Sequence, residues 1–205
     1  MLFRSTVDLS SVVKQGARLF YDRDGKLTPI RRIYNRAIVE ELVRKRVPMA
    51  FDFRDELEVE WAGHPNWFFR LSKFSLPYLD HPAVPRTQFL DGARDIGRPQ
   101  DYVLKPLYSF AGSGVIVGPT AAELAAVPAE QRSQYILQER VNFRPVVDTP
   151  FGPTKMAIRI MYIWLDRLRA VNTIIRMGRG AQMGVDHNKG FAWVGASAGF
   201  IDGSV

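Results

Sequence analysis

The sequence predicts an α+β protein built mostly of short strands, and three observations carry that prediction. Apolar and β-branched residues fall in short runs bounded by Gly, Pro, Asp and Asn. Alternation at period two recurs more often than helical spacing. Finally, 205 residues with 46% hydrophobic and 24% charged side chains suffice for one sizeable core or two small ones.

Taken in chain order, ARLFY (17–21) and PIRRIYN (29–35) flank Asp22, Asp24 and Gly25, which predicts a hairpin. RAIVEELVRKR (36–46) sets Ile38, Leu42 and Val43 at helical spacing, and ELEVEWA (56–62) alternates like a half-buried strand. NWFFRLSKFSLPYL (66–79) predicts a helix through Trp67, Phe68, Leu71 and Phe74 that ends near Pro77. After a strand in VPRTQFL (84–90), the polar connector DGARDIGRPQD suggests a boundary between an N-terminal α+β region, 1–90, and a second region, 91–205. YVLKPL and GVIVG predict a hairpin over 102–118. TAAELAAV (120–127) predicts a helix with Thr120 as N-cap and Glu123 completing a capping box. YILQERV (135–141) is a strand. KMAIRIMYIWL (155–165) and RAVNTIIRM (169–177) form an antiparallel pair around Asp166, Arg167 and Leu168, and residues 178–200 form a glycine-rich loop.

Composition excludes several chemistries. Cysteine is absent, which removes disulfides, thiolate catalysis and sulfur-based zinc sites, and the three histidines are scattered. No apolar run approaches the roughly 20 residues of a membrane helix. The start, MLFRSTVDLS, has no apolar signal core, so the expectation is a cytoplasmic protein without a membrane partner. The formal charge of +7 is concentrated at the two ends of the chain. It suits a nucleotide, an acidic substrate or nucleic acid, and equally an ordinary solvated surface.

The stretch DYVLKPLYSFAGSGVIVGPT (101–120) is the most informative. Bare amides in a Gly/Ser/Ala turn can approach phosphate oxygens without obstruction, and a lysine at the end of the preceding strand adds a point charge to the same anion. The alternative is a purely structural glycine hairpin. Neither the P-loop pattern nor the dinucleotide fingerprint is present. Arg159 and Arg176 interrupt strands that otherwise want burial. An inward guanidinium needs an anion, either a phosphate or substrate carboxylate or an internal acid.

Six segments in order resemble the ATP-grasp superfamily, which includes glutathione synthetase and ligases that add glutamate to peptides. They are SKFSLPYLDHPAVPRT, YVLKPLYSFAGSGV, YILQERV, AIRIMYIW, NTIIRM and VDHNKG. The first half, with GARLFYD and IRRIYNR, is similar to the circularly permuted branch. The resemblance implies two small, mostly antiparallel sheets with flanking helices around a nucleotide cleft. It also implies an ATP-dependent carboxylate–amine ligase working through an acylphosphate.

Carried over position by position, Lys73 and Lys105 would reach the ATP phosphates, and Ser109, Gly112, Ser113 and Gly114 would form a flap over them. Gln138, Glu139, Arg140 and Val141 would be the adenine hinge. Arg159 and Arg176 would be the catalytic cations. The family binds Mg²⁺ through an Asp on one strand and a Glu-x-Asn on the next, a pattern this chain lacks. Either Asp186 and Asn188 supply the metal ligands, or the chain is a shortened or degenerate form that binds nucleotide without ligating. The expected partners are ATP and a small-molecule or peptide carboxylate with an amine, and a homodimer could complete so small a site. The rival class is a basic nucleic-acid-binding module resting on RRIYNR and VRKRV. It is disfavoured because a basic surface does not require the glycine and arginine pattern of the C-terminal half.

Overall fold

The computed structural model describes residues 5–67, 72–109, 112–181, 183, 188 and 190–200. The chain mixes short helices with several mostly antiparallel sheets and divides into two compact units, Met1–Ser75 and Leu76–Val205.

In the N-terminal unit, β1 (Val13–Gln15), β2 (Arg18–Arg23) and β3 (Lys26–Ile30) form an antiparallel meander. The β2–β3 turn is the Asp24-Gly25 pair, both at positive φ, and Asp22 accepts the Gly25 amide at 2.9 Å. An Asp-Gly pair favours this two-residue turn because its left-handed backbone matches the strand twist. β4 (Arg32–Tyr34) then runs parallel to β5 (Glu60–Ala62), with α1 (Val39–Arg44) in the crossover. The expected strand over 29–35 is therefore split in two, and the strand expected over 56–62 is confined to its last three residues. Val12, Leu19, Phe51 and Phe53 make the core, and Phe51 meets Phe53 edge-on at 5.4 Å.

The helix expected over 66–79 falls partly on residues 68–71, outside the described ones. Beyond them the chain forms a 3-10 segment, Lys73–Tyr78, with Pro77 inside it.

The C-terminal unit holds two sheets. In the first, β6 (Thr87–Phe89), β7 (Tyr102–Pro106), β8 (Ile116–Val117) and β9 (Tyr135–Glu139) are ordered β6-β9-β7-β8, all antiparallel. Because β6 pairs with β9, residues 76–90 belong with the C-terminal unit, and the polar connector 91–101 lies within that unit. Leu104 and Leu137 are paired neighbours and pack with Leu90 and Leu124. Each such buried leucine contributes roughly 1.5–3 kcal/mol.

Leu124 comes from α2 (Ala121–Ala125), where the predicted capping box is present. The Glu123 amide donates to Thr120 Oγ1 at 3.1 Å, and the Thr120 amide donates to Glu123 Oε2 at 2.7 Å.

The second sheet is ordered β10-β11-β12-β13. Its centre is a long hairpin of β11 (Thr154–Trp164) and β12 (Leu168–Gly178), paired from Lys155↔Gly178 to Trp164↔Leu168 with a one-residue register shift between Met161 and Tyr162. Short β10 (Pro145–Val147) and β13 (Gly195–Ala198) flank its base. β13 lies in the stretch expected to be loop. Its Gly-Ala-Ser-Ala sequence lacks a strand's apolar alternation, and pairing with β12 supplies the order instead. Among the described residues, no helix is long and apolar enough to cross a membrane.

Candidate functional site

The site is built from strand alternation. Along β7, Leu104 turns to the core, so Val103 and Lys105 turn to the opposite face. Val103 pairs with Gln138 of β9, and Gln138 pairs with Thr87 of β6. Three polar residues from three strands therefore share one face. Lys105 and Gln138 are diagonal neighbours there, within reach of long side chains.

Their hydrogen bonds form a directed chain. Lys105 Nζ donates to Gln138 Oε1 at 2.5 Å, Gln138 Nε2 donates to Thr87 Oγ1 at 2.9 Å, and Thr87 Oγ1 donates to the Pro85 carbonyl at 2.9 Å. Because Thr87 spends its proton on Pro85, it can only accept from Gln138. That fixes the amide nitrogen toward Thr87 and the amide oxygen toward Lys105. The buried glutamine is thus locked as an acceptor for the amine.

Lys105 itself is half-buried, and desolvation pushes its amine below the ordinary lysine range. Among the described residues no carboxylate pairs with it. An ammonium has three donors, and Gln138 takes one. A partly dehydrated cation with one neutral acceptor and two unfilled donor directions is suited to an anion.

The strand ends one residue after this lysine, at Pro106, and the chain turns at Leu107. Gly112 and Gly114 both hold positive φ, 86° and 70°, and residues 112–114 are exposed. A Cβ on Gly114 would lie 2.9 Å from Pro106 Cγ, so glycine is required there on two counts. Ser109 Oγ sits 3.5 Å from the Pro106 carbonyl, and Ser113 is exposed between the two glycines. Residues 110–111 of the same stretch lie outside the described ones.

The expected hinge is altered in detail. Gln138 faces Lys105 with its side chain. The Glu139 amide donates to Arg86 and the Arg140 amide to Asp101, both at 2.8 Å, so neither amide is free for an adenine edge. Val141 is exposed at the start of a segment without regular structure. Lys73 belongs to the N-terminal unit, where it is half-buried at the start of the 3-10 segment.

The second sheet corrects the expectation for Arg159. Arg159 is exposed rather than inward-pointing, because the outer part of β11 is exposed on both faces, so burial puts no demand on it for an anion. Arg176 shares its face, being paired with Ala157 two residues from Arg159. It is half-buried and donates one of its five N–H groups to a neutral acceptor, the Met183 carbonyl, at 2.6 Å. Lys155, on the same face, donates to the Gly180 carbonyl at 3.3 Å.

Asn188 is buried, and its Oδ1 accepts the Gly180 amide at 3.0 Å. A Cβ on Gly178 would come within 2.5 Å of that oxygen. The carboxamide therefore holds the loop after β12 through one lone pair of its oxygen. Asp186 lies outside the described residues. Arg179 closes the same loop, with its guanidinium 5.2 Å from the Phe191 ring centre and 5.9 Å from that of Phe151. Among the described residues no three His, Asp or Glu side chains cluster as metal ligands.

Thr87 carries no signal of its own in the sequence, although it ends the Pro-Arg-Thr motif. Its role depends on strand register, and three-residue β6 is too short to show alternation.

No protein-family model and no curated protein sequence matches the chain.

Proposed function

We propose that the protein binds ATP in the manner of the ATP-grasp superfamily and acts as an ATP-dependent carboxylate–amine ligase. The observation that carries this reading is Lys105: half-buried, aligned by the Gln138–Thr87 relay, without an acidic partner among the described residues, and one residue before the strand ends and the chain turns into a glycine loop. A phosphate oxygen takes the donor directions that Gln138 leaves open, and the exposed amides around Gly112–Gly114 meet further phosphate oxygens. The adenine edge falls to the backbone after Arg140, since the Glu139 and Arg140 amides are occupied.

In the ligase, a substrate carboxylate oxygen attacks the γ-phosphorus and ADP leaves. An amine then attacks the acyl carbon and phosphate leaves. No protein nucleophile takes part, and the lysine contributes by positioning the phosphates and offsetting charge on them.

Calorimetric titration of ATP with and without Mg²⁺ tests the binding. Saturable heat is expected from the unmodified protein, and none at millimolar ATP counts against the reading. Release of ADP dependent on both a carboxylate and an amine tests the ligase step. A second reading, binding without ligation, is favoured by the commitment of Asn188 to the loop backbone. It is the outcome if ATP binds and no substrate pair releases ADP.

A further inference from the structure

The distal part of the β11–β12 hairpin is unlike the rest of the molecule. Every large apolar side chain from Ile158 through Leu168 is exposed, from Ile163 at 42% to Trp164 at 73%. With apolar side chains of roughly 150–200 Å² at about half exposure, this ribbon holds on the order of 700 Å² of apolar surface in water, divided between its two faces. The largest apolar patch on a typical monomer is about 300–600 Å², and a stable interface takes about 800 Å² from each partner. A two-stranded ribbon alone is at best marginally stable in water.

The backbone of the same segment is also unpaired on one side. β10 meets β11 only at Thr154 and Lys155, so among the described residues no strand covers that edge from Met156 to Trp164. Natural edges are blunted by lysine, proline or a bulge. This one, MAIRIMYIW, has neither lysine nor proline, and its only charge is Arg159. The register shift in the hairpin leaves its extra residue, Val171, on β12, so β11 is not the bulged strand.

We infer that this edge and its apolar faces are an interface between two copies of the chain, joined β11 to β11 in antiparallel fashion about a twofold axis. This goes beyond the nucleotide reading and does not depend on it. An antiparallel strand pair is self-complementary, so one surface serves both partners and the assembly closes at two. Pairing residues 158–164 with themselves, centred on Met161, sets Arg159 opposite Ile163 of the partner subunit, on the same face, and keeps the two arginines out of direct opposition. A lipid surface fits less well, because entry tip-first would carry Asp166, Arg167 and Arg169 toward hydrocarbon.

The test is sedimentation equilibrium of the full chain across a concentration series. A mass twice that of the chain is expected. Ile160→Lys is expected to raise the dissociation constant at least tenfold, while Leu27→Lys, at an exposed site in the N-terminal unit, leaves it unchanged. Hydrogen exchange of the unmodified protein supplies a readout that does not depend on a variant folding: the amides of 158–164 gain protection as concentration rises. A monomer at tens of micromolar overturns the inference. So does a dimer whose protection lies elsewhere, an open-ended series of larger species, or a monomer that instead binds anionic phospholipid vesicles.

Discussion

In the first sheet of the C-terminal unit, β9 lies between β6 and β7, and its Ile136 and Leu137 are 0% and 1% exposed. In the second, β11 runs past its short neighbour β10 and carries Ile158 to Trp164 in water. Each sheet holds a cation in an apolar strand, and the surroundings separate them. Lys105 is desolvated beside a locked acceptor, whereas Arg159 stands in solvent. On the proposed reading, a strand cation becomes an anion receptor when packing removes its water and leaves part of its donor capacity unfilled. Sequence context alone does not confer that.

The largest test of this contrast is the core that holds β7 and β9 in place. Leu137→Ala empties a fully buried position and is expected to cost about 2–5 kcal/mol in denaturant unfolding. A loss under about 1 kcal/mol would mean the first sheet is not the rigid partner in the comparison. Gln138→Leu comes next. It leaves the Lys105 amine half-buried without its acceptor and should cost about 1–3 kcal/mol. Replacing lysine as well, in Lys105→Met/Gln138→Leu, should recover most of that loss, since both polar partners are then gone.

The pH dependence sharpens the point about desolvation. The folded-state pKa of Lys105 lies below its unfolded value, so between the two the unfolded chain holds the extra proton. Stability from this group therefore rises as pH climbs through the depressed pKa and levels off at the ordinary lysine value. The gain should vanish in Lys105→Met, and ATP affinity should fall over the same window as the amine loses its charge. The smallest effect belongs to the second sheet. Arg159→Ala should change stability by no more than about 0.5 kcal/mol, as exposed positions do.

Much of the strand framework is legible in sequence for local reasons. The Asp24-Gly25 turn, the Thr120–Glu123 capping box and the β11–β12 hairpin announce themselves through turn chemistry, cap chemistry and β-branched runs. The hidden part depends on distant partners. β4 and β5 are three residues each and pair across a crossover, and β13 gains its order from β12. At the site, the lysine and the glycine turn are readable because both lie in one stretch of chain. The Thr87–Gln138 relay is not, because it exists only in the register of β6 on β9. Arg159 misleads because an apolar strand in sequence looks the same whether its faces are buried or bare.

The most direct test compares the ATP dissociation constants of the unmodified protein, Lys105→Ala and Arg159→Ala at fixed pH and salt. Loss of a charged hydrogen bond of roughly 1.5–3 kcal/mol predicts binding about 10- to 150-fold weaker for Lys105→Ala. Arg159→Ala is expected to bind ATP as the unmodified protein does. Equal affinity in all three, or a larger loss at Arg159 than at Lys105, would contradict the assignment of the phosphate site to the first sheet.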